Sequence, residues 1–210
     1  VARGRFITFE GIEGCGKTTQ LLLLARYLRE RACEVVTTRE PGGTPLGERA
    51  RDLLLDPRLT PVPLAELFLL EAARAQLVAH VIAPALEKGA FVLSDRFADS
   101  SLAYQAGARR LPRATVERLN ELACAGIVPD RTLVFDLDVG LALGRARERP
   151  DTGPENRRFE DEALAFHRAV AREYLDLAKD EPRRVVVVDA NGTPEEVHER
   201  TLAALVGVLP

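Results

Sequence analysis

Eight residues near the start of the chain, Gly11-Ile12-Glu13-Gly14-Cys15-Gly16-Lys17-Thr18, fit the spacing G-x-x-x-x-G-K-[ST]. These types at this spacing describe a loop that binds a polyphosphate. Its glycines let backbone N–H groups curl around an anion without Cβ clashes. A helix that starts there aims its unpaired N–H groups and its dipole at the same point. Lys17 brings a point charge to the β- and γ-phosphates of a nucleoside triphosphate. The Thr18 hydroxyl is suited to ligate Mg²⁺, and Thr19 extends the same run. A glycine-rich turn that binds nothing is the plain alternative, and the flanks argue against it. Arg5-Phe6-Ile7-Thr8-Phe9-Glu10 reads as a short apolar strand, and Leu21, Leu24, Ala25 and Leu28 recur at helical spacing.

Three further segments carry groups that chemistry could use. Thr38-Arg39-Glu40-Pro41-Gly42-Gly43-Thr44 is a tight turn, with Arg39 either facing a second anion or solvated at the strand end. Asp95-Arg96 ends an apolar strand: the carboxylate suits Mg²⁺ or its water shell, and the arginine fork suits a phosphate. An ion pair capping the strand is the alternative. Ser100-Ser101-Leu102-Ala103-Tyr104-Gln105 offers hydroxyls, an amide and a ring just behind it, groups that suit a sugar and base or an ordinary helix surface. Arg74 sits among alanines on a mostly apolar helical stretch, residues 64–88, where it either has a buried partner or snorkels to water.

The elements that must hold these groups alternate. Strand patterns fall at 5–9, 34–38, 90–94, 131–136 and 184–188, separated by long helical patterns. The fold expected is α/β, a five-stranded parallel sheet with helices on both faces and the phosphate loop after the first strand. Ligands bind such sheets at the carboxyl ends of the strands, which gathers Glu10–Thr18, Arg39–Thr44, Asp95–Ser101, the stretch from Asp136 and Asp189–Thr193. The polar loop at about 148–160, with Arg149, Arg157 and Arg158, reads as a lid able to bring arginine to a transferring phosphoryl group. One domain over 1–210 is expected, with this lid as its only departure.

Composition narrows the classes. Hydrophobic residues make up 46%, charged residues 29%, and the net charge of −3 gives no field for nucleic acid. No apolar run reaches the ~18–20 residues of a membrane helix. The cysteines, Cys15, Cys33 and Cys124, are odd in number and lack metal spacing, which suits a cytoplasmic protein. Cys15, inside the phosphate loop, reads either as a small residue at a permissive position or as a reactive thiol.

Taken in order, these segments resemble the thymidylate kinase family, whose members phosphorylate dTMP. The resemblance spans nearly the whole chain. It rests on the Phe-Glu-Gly start with its Gly-Lys-Thr-Thr, on Arg39-Glu-Pro-Gly-Gly-Thr44, and on the Ala-Ala-Arg74 helix. Asp95-Arg96, Ser101, Ala-Tyr-Gln105 and Asp189-Ala-Asn-Gly-Thr-Pro-Glu-Glu196 complete it. The resemblance implies a P-loop NTPase fold, ATP as co-substrate with Mg²⁺ held by Thr18 and Asp95, and dTMP as acceptor. It implies that Glu13 accepts from the sugar 3′-hydroxyl, that Arg39 and Arg96 hold the dTMP phosphate, and that Arg74, Ser101 and Gln105 read thymine. Tyr104 would pack against C2′, Asp189–Thr193 would lie near adenine, and a homodimer is expected. Since Gly14 and Cys15 leave the phosphate loop without arginine, the catalytic set expected is Lys17, Arg96, Arg149 and Arg158. One position departs from the family: Leu70 stands where an aromatic usually stacks on the base, while Phe68 lies two residues away on another helix face. The rival readings are a deoxynucleoside kinase, whose hydroxyl acceptor favours a base, and an ATPase without an acceptor. A GTPase switch would need an Asn-Lys-x-Asp that the chain lacks.

Overall fold

Five runs of β-branched and aromatic residues form one all-parallel sheet in the computed structural model, which describes residues 3–148, 159 and 162–210. The strands are β1 (Phe6–Glu10), β2 (Val35–Arg39), β3 (Phe91–Asp95), β4 (Arg131–Asp136) and β5 (Val185–Asp189). They lie in the order β2-β3-β1-β4-β5. Four of them run one residue later than the sequence pattern suggests. Central β1 is buried at every position, as a strand covered on both faces must be, whereas edge strand β2 keeps exposed positions.

Register brings the strand ends level. Phe9 and Arg39 both pair with Asp95, Glu10 pairs with Val134, and Asp136 with Asp189. The segments that follow the five strands therefore leave the sheet from the same end. One face is sealed by α1 (Lys17–Arg29), α8 (Leu164–Asp180) and α9 (Pro194–Ala204), through Leu24, Leu28, Tyr174 and Val197. On the other face Phe6, Leu77, Ile82 and Phe97 form a second core. Each such side chain, fully withdrawn from water, contributes about 1.5–3 kcal/mol.

α3 (Pro63–Leu77), a π-helical turn (Val78–Ile82) and α4 (Ala83–Glu87) make one continuous helix. Its 25 residues include an 18-residue window of mean hydropathy 1.3, long and apolar enough to cross a membrane by length and composition. Glu66, Glu71 and Arg74 interrupt its apolar run, so the residue-by-residue expectation and the averaged hydropathy differ. Those three charges are buried against α6 (Arg113–Cys124) and neighbouring segments, paired within the protein. A second π-helical segment, Leu102–Ala108, continues α5 (Ala98–Ser101) behind β3. At the last strand end, Thr193 and the Glu196 side chain cap α9 reciprocally, each satisfying a backbone N–H of the other.

Candidate active site

The phosphate loop follows β1 directly. Gly14 has φ +78°, and a Cβ there would lie 1.8 Å from the Ala142 carbonyl oxygen of α7 (Val139–Arg147), so glycine is required. Lys17 folds back along the loop and its Nζ donates to the carbonyls of Gly11 at 2.9 Å and Ile12 at 2.6 Å. Thr18 Oγ1 donates to Asp95 Oδ2 at 2.6 Å. These two oxygen donors at the loop mouth fit the hard, partly hydrated Mg²⁺ ion. Among the described residues no group of three or more His, Cys, Asp or Glu could hold a metal alone, so the pair would share an ion with phosphate and water.

Beside the loop opens a cavity of about 620 Å³. Lys17, Arg39, Arg51 and Arg96 line it as cations, and Leu70, Tyr104, Gln105 and Phe159 line it elsewhere. Arg96 is placed by an unusual backbone. Its φ of +73° lies in the left-handed region, which costs about 1–2 kcal/mol for a residue with a Cβ and is kept where surroundings over-determine it. Its N–H donates to Phe9 O, and its own carbonyl accepts from Ser94 Oγ. The guanidinium then reaches Glu13 Oε1 at 2.8 Å, Tyr104 Oη at 2.9 Å, and Ser100 and Tyr174 at 3.3 Å each.

Burial works against the charge of Glu13. Arg96 beside it, His167 Nδ1 at 3.5 Å from Oε2, Lys17 and the Tyr104 hydroxyl outweigh burial and hold its carboxyl well below the usual carboxylate range. Glu10 behaves oppositely. It accepts from Phe97 N, Ser100 Oγ and Tyr174 Oη, all at 2.6–2.7 Å, but burial and the nearby Asp99 carboxylate push it up to about 7. Glu10 thus braces from below the hydroxyls that touch Arg96. Between about pH 4.5 and 7 the folded chain holds a proton on Glu10 that the unfolded chain has lost, so this group's stability contribution falls as pH rises through that window. Glu13 has the opposite sign, with a contribution present above 4.5 and lost in acid. Relative to Glu10→Gln, the unsubstituted protein is expected to lose stability from about pH 4.5 to 7 and stay level above, measured by denaturant melts across pH; a difference independent of pH would contradict this.

On the β2 side the Glu40–Pro41 bond is cis. Arg39 donates to Glu48 Oε2 at 2.8 Å, and Glu48 Oε1 accepts from Gly43 N, which clamps arginine and turn together. Arg51 comes from α2 (Pro45–Leu55), donating to Pro41 O at 3.2 Å. Burial, with the charges of Arg39 and Arg96 close by, weakens its hold on its proton. Clustered like charge of this kind is a place for an anion.

Arg74 and Ser101 stand behind the cavity wall rather than in it. Arg74, 1% exposed, gives its fork to Glu40 at 2.8 Å, Glu71 at 2.6 Å, Asn120 at 2.7 Å, Ser101 at 3.1 Å and Phe97 O at 3.2 Å. The buried partner considered for this arginine is thus present fivefold, and reading a base directly would require some of these bonds to be surrendered. With two carboxylates sharing one arginine, burial still pushes Glu40 up to about 7. Leu70 lines the cavity, whereas Phe68 is 53% exposed.

A second cavity of about 340 Å³ lies across the phosphate loop, between Cys15, Gly16 and Thr19 and the Ala190–Pro194 turn, with Arg145 at its edge. Gly11 and Ile12 supply the carbonyls that Lys17 holds. Arg149 and Arg158, with Arg157 and all of the 148–160 loop except Glu148 and Phe159, lie outside the described residues.

Sequence reasoning gathered Glu10 at the strand ends without giving it a role, and passed over Tyr174, Arg51 and Glu66. Glu10 carried a readable signal, a carboxylate ending a mostly apolar, fully buried strand. Arg51 and Tyr174 carried none, since each is an ordinary residue of an amphipathic helix.

A family model for thymidylate kinase matches residues 9–201. The chain belongs to the thymidylate kinase family. It is 52% identical over 195 residues to thymidylate kinase of Trichlorobacter lovleyi, covering 91% of this chain and 92% of that one. Over 210 residues it is 49% identical to the Geobacter sulfurreducens thymidylate kinase, with 99% of each covered. The crystal structure of thymidylate kinase from Ehrlichia chaffeensis superposes with a TM-score of 0.79 at 33% identity, covering 97% of this chain and 99% of that chain. Thymidylate kinases are nucleoside monophosphate kinases with the P-loop NTPase fold, which is the architecture seen here.

Proposed function

We propose that the smaller cavity and the phosphate loop receive ATP, that the larger cavity receives dTMP, and that the γ-phosphoryl group passes between them to give ADP and dTDP. An oxygen of the dTMP phosphate attacks γ-phosphorus as the bond from γ-phosphorus to the β–γ bridging oxygen breaks. The acceptor is already an anion near neutral pH, so no base has to take a proton. The protein's task is to hold two polyanions in line against their repulsion. Lys17 serves the β- and γ-phosphates. Arg39, Arg51 and Arg96 serve the acceptor phosphate, with Glu13 and Tyr104 at the sugar and Leu70 and Gln105 at the base. Thr18 and Asp95 would hold Mg²⁺, which supplies charge neutralisation at the phosphates. Arg149 and Arg158 remain the proposed lid arginines. We also propose a single domain over 1–210, a cytoplasmic location in keeping with nucleotide substrates, and a homodimer through the α3 and α6 face where Leu64, Phe68 and Leu122 stay exposed.

The observation that carries this reading over a nucleoside kinase is the state of Glu13. Its carboxylate is tied to Arg96 and Tyr104 and held well below its usual range, a poor base for a hydroxyl acceptor. The test is ADP release from Mg-ATP with dTMP, dUMP, dCMP, AMP, thymidine or no acceptor. Strong stimulation by dTMP and none by thymidine is expected. Stimulation by thymidine would move the acceptor to a hydroxyl, and turnover without acceptor would remove the second nucleotide site.

A further inference from the structure

We propose that Glu66 is a positioning residue that sets which end of the Gln105 amide meets the base, making the site select a pyrimidine with an N3–H over one with a bare N3. The inference rests on the reading that Gln105 lies at the base end of the acceptor cavity. Gln105 occupies the π-helical segment next to Tyr104, lines the cavity, and is 1% exposed. Its Nε2 donates to Glu66 Oε1 at 2.9 Å. Glu66 is wholly buried on α3, and Arg109 donates to both of its oxygens, Nε at 3.2 Å from Oε1 and Nη2 at 3.4 Å from Oε2. Arg109 itself is steadied by Glu162 at 2.6 Å and by the Phe166 ring 4.6 Å away.

A carboxylate paired with arginine only accepts hydrogen bonds. Gln105 can therefore turn only its NH₂ toward Glu66. Rotating the amide by half a turn would bring two acceptor oxygens to hydrogen-bond distance. The amide orientation is thus dictated by its neighbour. Gln105 Oε1 is left buried without a hydrogen-bond partner among the described residues. An unpaired buried acceptor is costly until a donor arrives. Thymine and uracil bring N3–H, whereas cytosine brings a lone pair at N3 and leaves acceptor facing acceptor. Sites built this way discriminate because the wrong ligand leaves their buried polar groups unpaired. Glu66 touches no substrate in this scheme and acts through Gln105.

The experiment measures kcat/KM for dTMP and dCMP in the unsubstituted enzyme, Glu66→Gln, Glu66→Asp and Gln105→Leu, with melting temperatures to check folding. Glutamine at 66 can both accept and donate, which frees the amide to turn, and aspartate withdraws the carboxylate by one methylene. In both, the dTMP:dCMP ratio is expected to fall by about tenfold or more, the scale of one hydrogen bond, chiefly through KM. The exchanged pair Glu66→Gln with Gln105→Glu again offers the base only acceptors and should recover discrimination. A merely structural Glu66 would lower both substrates together and leave the ratio alone. If the ratio holds in the Glu66 variants but falls in Gln105→Leu, this proposal fails while the site reading stands. If it also holds in Gln105→Leu, Gln105 is not at the base and the site reading fails. Should the Glu66 variants not fold, the unsubstituted enzyme decides with 3-deaza-dTMP, which has C–H in place of N3–H: a loss of about tenfold or more supports the fixed acceptor, and equal use overturns it.

Discussion

Lys17→Ala is expected to reduce turnover with ATP and dTMP by at least about a hundredfold, the scale of losing one preorganised electrostatic donor. The reason lies in where the ammonium is kept. Lys17 is 6% exposed and held by the Gly11 and Ile12 carbonyls, so its charge sits inside the loop before any nucleotide enters. It is poorly screened there, and only its terminal donors have to turn from the loop carbonyls to meet the charge that shifts toward the β–γ bridge. The same bonds brace the loop, so the variant also loses stability, about 1 kcal/mol for each net hydrogen bond. Turnover should fall far more than the melting temperature implies. Lys17→Arg separates charge from shape: a planar fork cannot follow the path by which Nζ meets two carbonyls, so it should restore little activity. Pre-steady-state ADP formation at saturating nucleotide reads the chemical step directly. Turnover near that of the unsubstituted enzyme in Lys17→Ala would remove this residue from the transfer.

Why the phosphate loop was legible and the arginine network was not follows from the distance over which each is specified. Gly14, Gly16, Lys17 and Thr18 are fixed by local backbone needs, and their spacing is written in eight consecutive residues. The strands were legible for a similar reason. Burial on both faces of the central strands favours nearly continuous apolar runs, β-branched residues mark the edge strands, and parallel pairing aligns the ends that carry Glu10, Arg39, Asp95, Asp136 and Asp189. Arg74 differs. The sequence shows that it needs a partner, but its partners come from residue 40 after β2, residue 71 on its own helix, residue 97 after β3, residue 101 in α5 and residue 120 in α6. Periodicity cannot bring those together. Arg51 and Tyr174 join the site only because α2 and α8 pack where they do. Neither π-helical segment leaves a mark in composition, although one of them presents Tyr104 and Gln105, adjacent residues, to the same cavity.

Arg96→Ala is expected to lower kcat/KM for dTMP by at least about a hundredfold, and its structural consequences distinguish it from Lys17→Ala. Arg96 gives its two terminal nitrogens to four oxygens, those of Glu13, Tyr104, Ser100 and Tyr174. Removing it leaves Glu13 mostly buried with its ion-pair partner gone, a loss that reaches about 3–5 kcal/mol for a fully buried pair and less at the 16–17% exposure of these side chains. The largest of the attractions holding the Glu13 carboxyl below its usual range goes with it, leaving those of His167, Lys17 and Tyr104, so the variant should lose less stability between neutral pH and acid than the unsubstituted enzyme does. The backbone offers an internal control. At φ +73° alanine keeps the strain and glycine relieves it, so Arg96→Gly should be more stable than Arg96→Ala by about 1–2 kcal/mol while being equally inactive. Equal inactivity with unequal stability assigns the lost rate to the guanidinium rather than to a disturbed fold. If glycine instead recovered activity that alanine lacks, the strained turn, not the charge, would be what dTMP needs from this position.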